Sequence, residues 1–205
     1  MKKIISTIFM VASFVSVSFG VNTDYGIRVN DTLPSAQSVK NVTVGIKSGQ
    51  AFYYYYHGWR ASMMHAIQLL NNEIYDAGSS VKFKWTGSSN ANVLMEYGTL
   101  PSGTAARTDI GDNSHGIGKK MIINGYINLS FKDKIETLKH ELLHTIGFRH
   151  SRTGSEISYG SVMVTNTNSF WEWQYFGHSI METSLNKTPF NLSELDKRAL
   201  RTIFP

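Results

Sequence analysis

The eleven residues from His140 to His150 read H-E-L-L-H-T-I-G-F-R-H and combine groups that bind a metal ion with one that moves a proton. His140 and His144 stand four apart, so on a helix they share one face about one turn apart and offer two imidazole nitrogens to one ion. Gly147 lets the chain turn sharply off that helix, and His150 returns three residues later as a third ligand. Three protein ligands with a fourth position left for water make the arrangement of a catalytic zinc, whereas a structural zinc is closed by a fourth side chain. Glu141 follows the first ligand directly, where its carboxylate can take a proton from water without binding the ion. The expected chemistry is hydrolysis, since zinc lowers the pKa of a bound water from about 16 to roughly 7 and polarises the carbonyl under attack.

With 7 His and 8 Glu among 205 residues, an H-E-x-x-H arises by chance in on the order of 1 sequence in 100, so that core alone does not decide. Adding Gly147 and His150 lowers the chance to on the order of 1 in 40,000, which disfavours a helix with merely solvent-facing histidines. Glu156 is a rival third ligand, as in a thermolysin-type enzyme, but it lies in a Gly- and Ser-containing loop rather than on a second helix. The chain has no cysteine, which excludes disulfides, thiolate zinc ligands and a thiolate latency lock. Any metal must therefore be held by His, Asp or Glu. His57, His65, His115 and His178 read as structural or exposed, and Asp109, Asp112 and Asn113 as turn formers rather than calcium ligands.

The helix that carries the first two histidines is signalled by Ser130 with Asp133, or Asp133 with Glu136, as an N-terminal cap. Its buried face is Ile135, Leu138, Leu142, Leu143 and Ile146, and Gly147 ends it. A second long amphipathic helix is expected over Gly58–Ala77 from the spacing of Trp59, Met63, Ala66, Ile67, Leu70 and Ile74. Val39–Ile46, Val81–Thr86, Ala91–Tyr97, Met121–Ile123 and Tyr126–Leu129 read as strands, and Thr99–Gly118 as a long loop. The fold class is α+β.

Lys2 and Lys3, the apolar stretch Ile4–Phe19 and the small residues around Gly20 read as a signal peptide over residues 1–20. Residues 21–38, polar and interrupted by Pro34, read as an N-terminal extension or propeptide remnant, and residues 39–205 as the catalytic domain. Removing Lys2 and Lys3 leaves 18 − 15 = +3 on the mature chain, with the basic residues scattered. That pattern argues against a nucleic-acid partner, and no second stretch approaches the roughly twenty apolar residues of a membrane span. A secreted or extracytoplasmic monomer is expected.

The motif resembles the extended zinc signature of the metzincin clan of metallopeptidases. Gly147–His150 and the closing F-N-L-S-E-L-D-K-R-A-L are similar to the bacterial peptidases named for an H-E-I-G-H core, although this chain has H-E-L-L-H. Astacins are similar in G-F-x-H and S-I-M, but Glu182 and Thr183 stand where they have His and Tyr, so their tyrosine ligand does not carry over. The resemblance implies a twisted mixed sheet, two long helices above the zinc cleft and an irregular lower subdomain ending in a C-terminal helix. It implies one catalytic Zn2+, protein or peptide substrates, and Asn92–Tyr97 and Met121–Leu129 as central and substrate-edge strands. It also implies a methionine turn beneath the metal. Met181 is preferred over Met163 because its distance to the capped helix starting near Ser193 looks like the family's spacing. The long stretch Ser151–His178 is rich in aromatics, and Trp171, Trp173 and Tyr175 are the expected contacts for the residue after the scissile bond. The alternative is a zinc-binding adhesin or toxin-like module without catalysis, against which Glu141 argues.

Overall fold

Val42, Val44 and Ile46 alternate with Thr43 and Gly45, and the alternation buries all three on one face of a strand. The computed structural model describes residues 26–50, 58–150, 161–166, 179–181 and 190–205. The first elements in chain order are β1 (Gly26–Asn30), a single-turn helix α1 (Ala36–Val39) and that strand, β2 (Val42–Ile46). Next come α2 (Trp59–Asp76), β3 (Phe83–Trp85), β4 (Val93–Gly98), β5 (Ala106–Thr108) and β6 (Lys120–Asn124). The chain continues through α3 (Phe131–Thr145), β7 (Phe148–Arg149) and β8 (Ser161–Asn166) to α4 (Glu194–Ile203). No helix among the described residues is long and apolar enough to cross a membrane.

A five-stranded sheet runs β3-β2-β4-β6-β5, parallel throughout except for β5, which pairs antiparallel with β6. Its register sets Val44 against Val93 and Met95 against Met121, and these four residues lie in the core. Helices α2 and α3 pack against each other. Leu70 and Ile74 of α2, and Leu138 and Leu142 of α3, are fully buried at helical spacing.

Lys139 is buried at this junction, and its Nζ donates to Glu73 Oε1 of α2 and to the Phe190 carbonyl, both at 2.6 Å. Glu73 Oε2 in turn accepts from Leu192 N at 3.0 Å. One ion pair therefore ties α2, α3 and the lead-in to α4 together. Burial lowers the Lys139 pKa, and the Glu73 carboxylate opposes that shift.

Ser130 caps α3 by accepting from Asp133 N, and Ser193 with Asp196 forms a capping box on α4. At the other end of α3 three amides meet two terminal carbonyls. Gly147 N and Gly111 N each lie 3.0 Å from His144 O, and Gly118 N lies 2.9 Å from Thr145 O. Gly147 reaches this arrangement at φ +102, a conformation side chains resist. The 109–118 segment lies so close to the helix end that a Cβ on Gly111 would stand 2.1 Å from Thr145 O.

Three sequence expectations change here. Residues 26–30, within the expected lead-in, form the middle strand of a second sheet, β7-β1-β8, because Ile27 and Val29 alternate into the core. The expected loop 99–118 contains β5, which has no apolar run of its own and takes its strand conformation from β6. Tyr126–Leu129 is not a strand. Asn124 Oδ1 accepts from Tyr126 N at 3.1 Å, and Gly125 lies against the Tyr97 ring with no room for a Cβ, so the chain turns there. The sheet edge near the histidine helix is therefore β5, not Met121–Leu129.

Replacing Gly111 by Ala is expected to lower stability by at least about 2 kcal/mol through overpacking against the helix end. Gly49→Ala, where a Cβ meets nothing within 4 Å, carries only backbone strain of about 1 kcal/mol. Thermal melts of the two variants should rank in that order.

Candidate metal centre

Helix α3 presents His140 and His144 one turn apart, and the chain reversal at Gly147 brings back His150 immediately after β7. The Nε2 atoms of the three rings form a near-equilateral triangle: 3.0 Å from His140 to His144, and 3.2 Å from each of these to His150. His140 Nδ1 lies 2.7 Å from the Ile180 carbonyl, and His144 Nδ1 lies 2.7 Å from the Phe148 carbonyl. A carbonyl only accepts, so both Nδ1 atoms carry the proton and both Nε2 atoms turn bare lone pairs toward each other. Burial holds both imidazoles below the ordinary histidine pKa, and for His144 the neighbouring His140 and His150 add to the effect. Neutral rings with converging lone pairs repel unless a cation lies among them.

The donor set fits zinc. Tetrahedral zinc at Zn–N of about 2.0–2.1 Å needs its ligand nitrogens roughly 3.3–3.4 Å apart, a few tenths of an ångström wider than this triangle. Among the described residues this is the one group of three or more His, Asp or Glu side chains close enough to share an ion. His65 instead packs at a tilt beside Phe131, and His115 pairs with Asp112. Glu156, His57 and His178 lie outside the described residues, as do Trp171, Trp173 and Tyr175.

Glu141 is 6% exposed and its Oε2 has no hydrogen-bond partner among the described residues. Burial raises its pKa to about 7; the nearby Thr108 hydroxyl pulls the other way without meeting hydrogen-bond geometry. A cation at the histidines acts in the same direction as Thr108. Glu141, His144 and His150 line a cleft of about 700 Å³ whose other walls include Ala106, Thr108 and Arg149. The centre thus offers, among the described residues, three converging imidazoles, a carboxylate oxygen without a partner and open volume in one place.

Support for His140 comes from an unforeseen quarter. Asp196, fully buried at the start of α4, accepts from Ser193 N, Ser193 Oγ and Ile180 N through Oδ2, and from Ser179 Oγ through Oδ1. Ser179 Oγ accepts from Met181 N at 2.9 Å. One carboxylate therefore pins the 179–181 turn whose Ile180 carbonyl holds His140. Burial pushes the Asp196 pKa up and these donors pull it back. Met181 is fully buried in this turn, while Met163 lies in β8 at the register position opposite Arg28. The sequence marks Asp196 as a helix-capping residue, but its reach to the turn exists only once α4 is docked.

No family model matches the chain, and no curated protein matches it. Among solved structures it is similar to myroilysin, at 14% identity and TM-score 0.49 over 87% of this chain and 98% of that one. It is also similar to the GM1-bound form of the ECX AB5 holotoxin, at 15% identity and TM-score 0.51 over 86% of this chain and 88% of that one. The second likeness shows a shared fold.

Asp196→Asn turns an acceptor into a group whose amide faces existing donors, so the turn should loosen its hold on His140. The expected outcome is a zinc affinity about 10- to 100-fold weaker, measured by competition with a chromophoric chelator. An unchanged affinity would show that the turn does not govern the ligand.

Proposed function

We propose that the chain is a secreted zinc endopeptidase with a metzincin-like catalytic domain, in which His140, His144 and His150 hold one Zn2+ and Glu141 is the general base. The observation that carries this reading is the pairing of three converging imidazoles with a buried carboxylate oxygen that has no partner among the described residues. A ligand site alone has no use for such a carboxylate, whereas hydrolysis does. Zinc, when bound, supplies Lewis acidity at the carbonyl and an acidified water.

The chain's own groups account for the rest. Strand β5 is at the sheet edge beside α3, and no strand among the described residues pairs with its outer side. An extended peptide can add to that edge through main-chain hydrogen bonds and so lie along the cleft. Glu141 Oε2 takes a proton from the attacking water as its oxygen bonds to the acyl carbon, then delivers it to the departing amine nitrogen as the C–N bond breaks. Because Glu141 is buried, its proton transfer is shielded from bulk solvent. Met181 is proposed to support the histidines from below, and Trp171, Trp173 and Tyr175 to contact the residue after the cut. Residues 1–20 are proposed to direct export, and the mature chain acts as a monomer on protein or peptide substrates, with no nucleic-acid or membrane partner.

Glu141→Ala should retain one zinc per chain while lowering kcat/KM by about 10²–10⁴-fold, because the imidazoles stay and the base is lost. Metal analysis alongside hydrolysis of a quenched peptide checks both halves. A variant that cleaves at the wild-type rate would remove Glu141 from the mechanism.

A further inference from the structure

Arg149 precedes the third histidine and lines the same cleft as Glu141, His144 and His150. Among the described residues its guanidinium is held along one edge: Nε and Nη2 donate to Asn30 Oδ1 at 2.7 and 2.5 Å. Asn30 is itself fixed. It is buried, its Nδ2 donates to the Gly111 carbonyl at 3.0 Å, and its backbone N donates to the Gly147 carbonyl at 2.8 Å. With Nδ2 committed to a carbonyl, the orientation of the amide is set and Oδ1 must face the arginine. The arginine is thus placed in the cleft wall by a neutral, immobile holder.

A guanidinium has five N–H donors, and Asn30 takes two. Of the other three, one on Nη1 and one on Nη2 lie parallel and form the end-on fork that matches a carboxylate, and the second Nη1 N–H points along the remaining edge. Among the described residues no carboxylate forms an ion pair with Arg149, although Asp109 lines the same cleft. Holding β1 to β7 would need only a neutral donor pair. A fixed charge beside the proposed scissile position, with its charge uncompensated by the holder, is the usual form of a recognition element for an anionic group.

We propose that Arg149 selects substrates with an acidic side chain next to the bond that is cut, by pairing its outer guanidinium fork with that carboxylate. This rests on the peptidase reading above. Asn30 is the positioning residue that aims the fork.

The experiment compares matched peptides carrying Asp or Glu, or their uncharged counterparts Asn or Gln, on either side of the cleaved bond. Zinc content and Tm are recorded for every protein. For the wild type the acid-to-amide ratio of kcat/KM is expected at about 10- to 100-fold, as for a hydrogen bond to a charged partner. Arg149→Gln should bring the ratio near one whatever the absolute rate, Arg149→Lys should restore part of it, and Arg149→Glu should invert preference toward Lys-containing peptides. A wild-type ratio near one, or a ratio that Arg149→Gln leaves intact, overturns the inference while the peptidase reading stands. If the zinc-loaded wild type cleaves no peptide, the peptidase reading fails, and binding decides the role of Arg149. Fluorescence anisotropy of the same labelled peptides on zinc-loaded Glu141→Ala protein should then show acidic peptides bound more tightly, with the difference lost on adding Arg149→Gln. Equal binding would overturn it.

Discussion

Two imidazoles whose protons are fixed on Nδ1 must point their Nε2 lone pairs at each other across 3.0 Å, and the surrounding structure exists to hold them there. Left to themselves the rings would rotate apart, since nothing between them but a cation makes the approach favourable. The two carbonyl acceptors prevent that rotation. One is Phe148 O, four residues beyond His144 and reached only because Gly147 reverses the chain; the other is Ile180 O, forty residues beyond His140.

Each acceptor is anchored in a different part of the fold. Phe148 belongs to β7, which pairs with β1, so an N-terminal strand indirectly orients His144. Ile180 is anchored through Asp196 to the first turn of α4, and the segment entering α4 is held by Glu73 and Lys139 from α2 and α3. Removing Glu73 would strand the buried charge of Lys139, at a cost of about 3–5 kcal/mol. Helix α4 therefore anchors the turn whose carbonyl orients His140. The same economy is seen at Gly111, which approaches α3 closely enough to bond His144 O and whose own carbonyl fixes Asn30.

Much of this was legible in the residue order, and the parts that were not share a cause. The i, i+4 histidines, the glycine stop and the Ser130 cap are local patterns, and the structure reproduces the helix they imply as Phe131–Thr145. The periodicity of Trp59–Ile74 similarly marks α2 to within a residue or so. Strand β5 escapes because three residues, Ala106–Thr108, carry no periodic signal, and their conformation is imposed by β6. Strand β1 escapes because its two buried positions, Ile27 and Val29, are lost among polar neighbours. The contributions of Asn30 and Asp196 escape for a stronger reason: each acts on residues more than ten positions away in the chain, and an amide at a strand end or a carboxylate in a helix cap looks the same whether or not it has such a second task. His150 lies between these cases, since the chain reversal that brings it back is local but its convergence with the other two rings is a fact of three dimensions.

Zinc-edge X-ray absorption of the zinc-loaded protein, paired with metal analysis, reads directly whether the three Nε2 atoms hold a metal ion with one position left open. One zinc per chain is expected, with three nitrogen ligands at about 2.0–2.1 Å and a fourth, oxygen, ligand from solvent that is exchangeable by a small hydroxamate. A shell closed by four protein ligands, or a zinc whose coordination is unchanged when His140, His144 and His150 are replaced together by Ala, would contradict it.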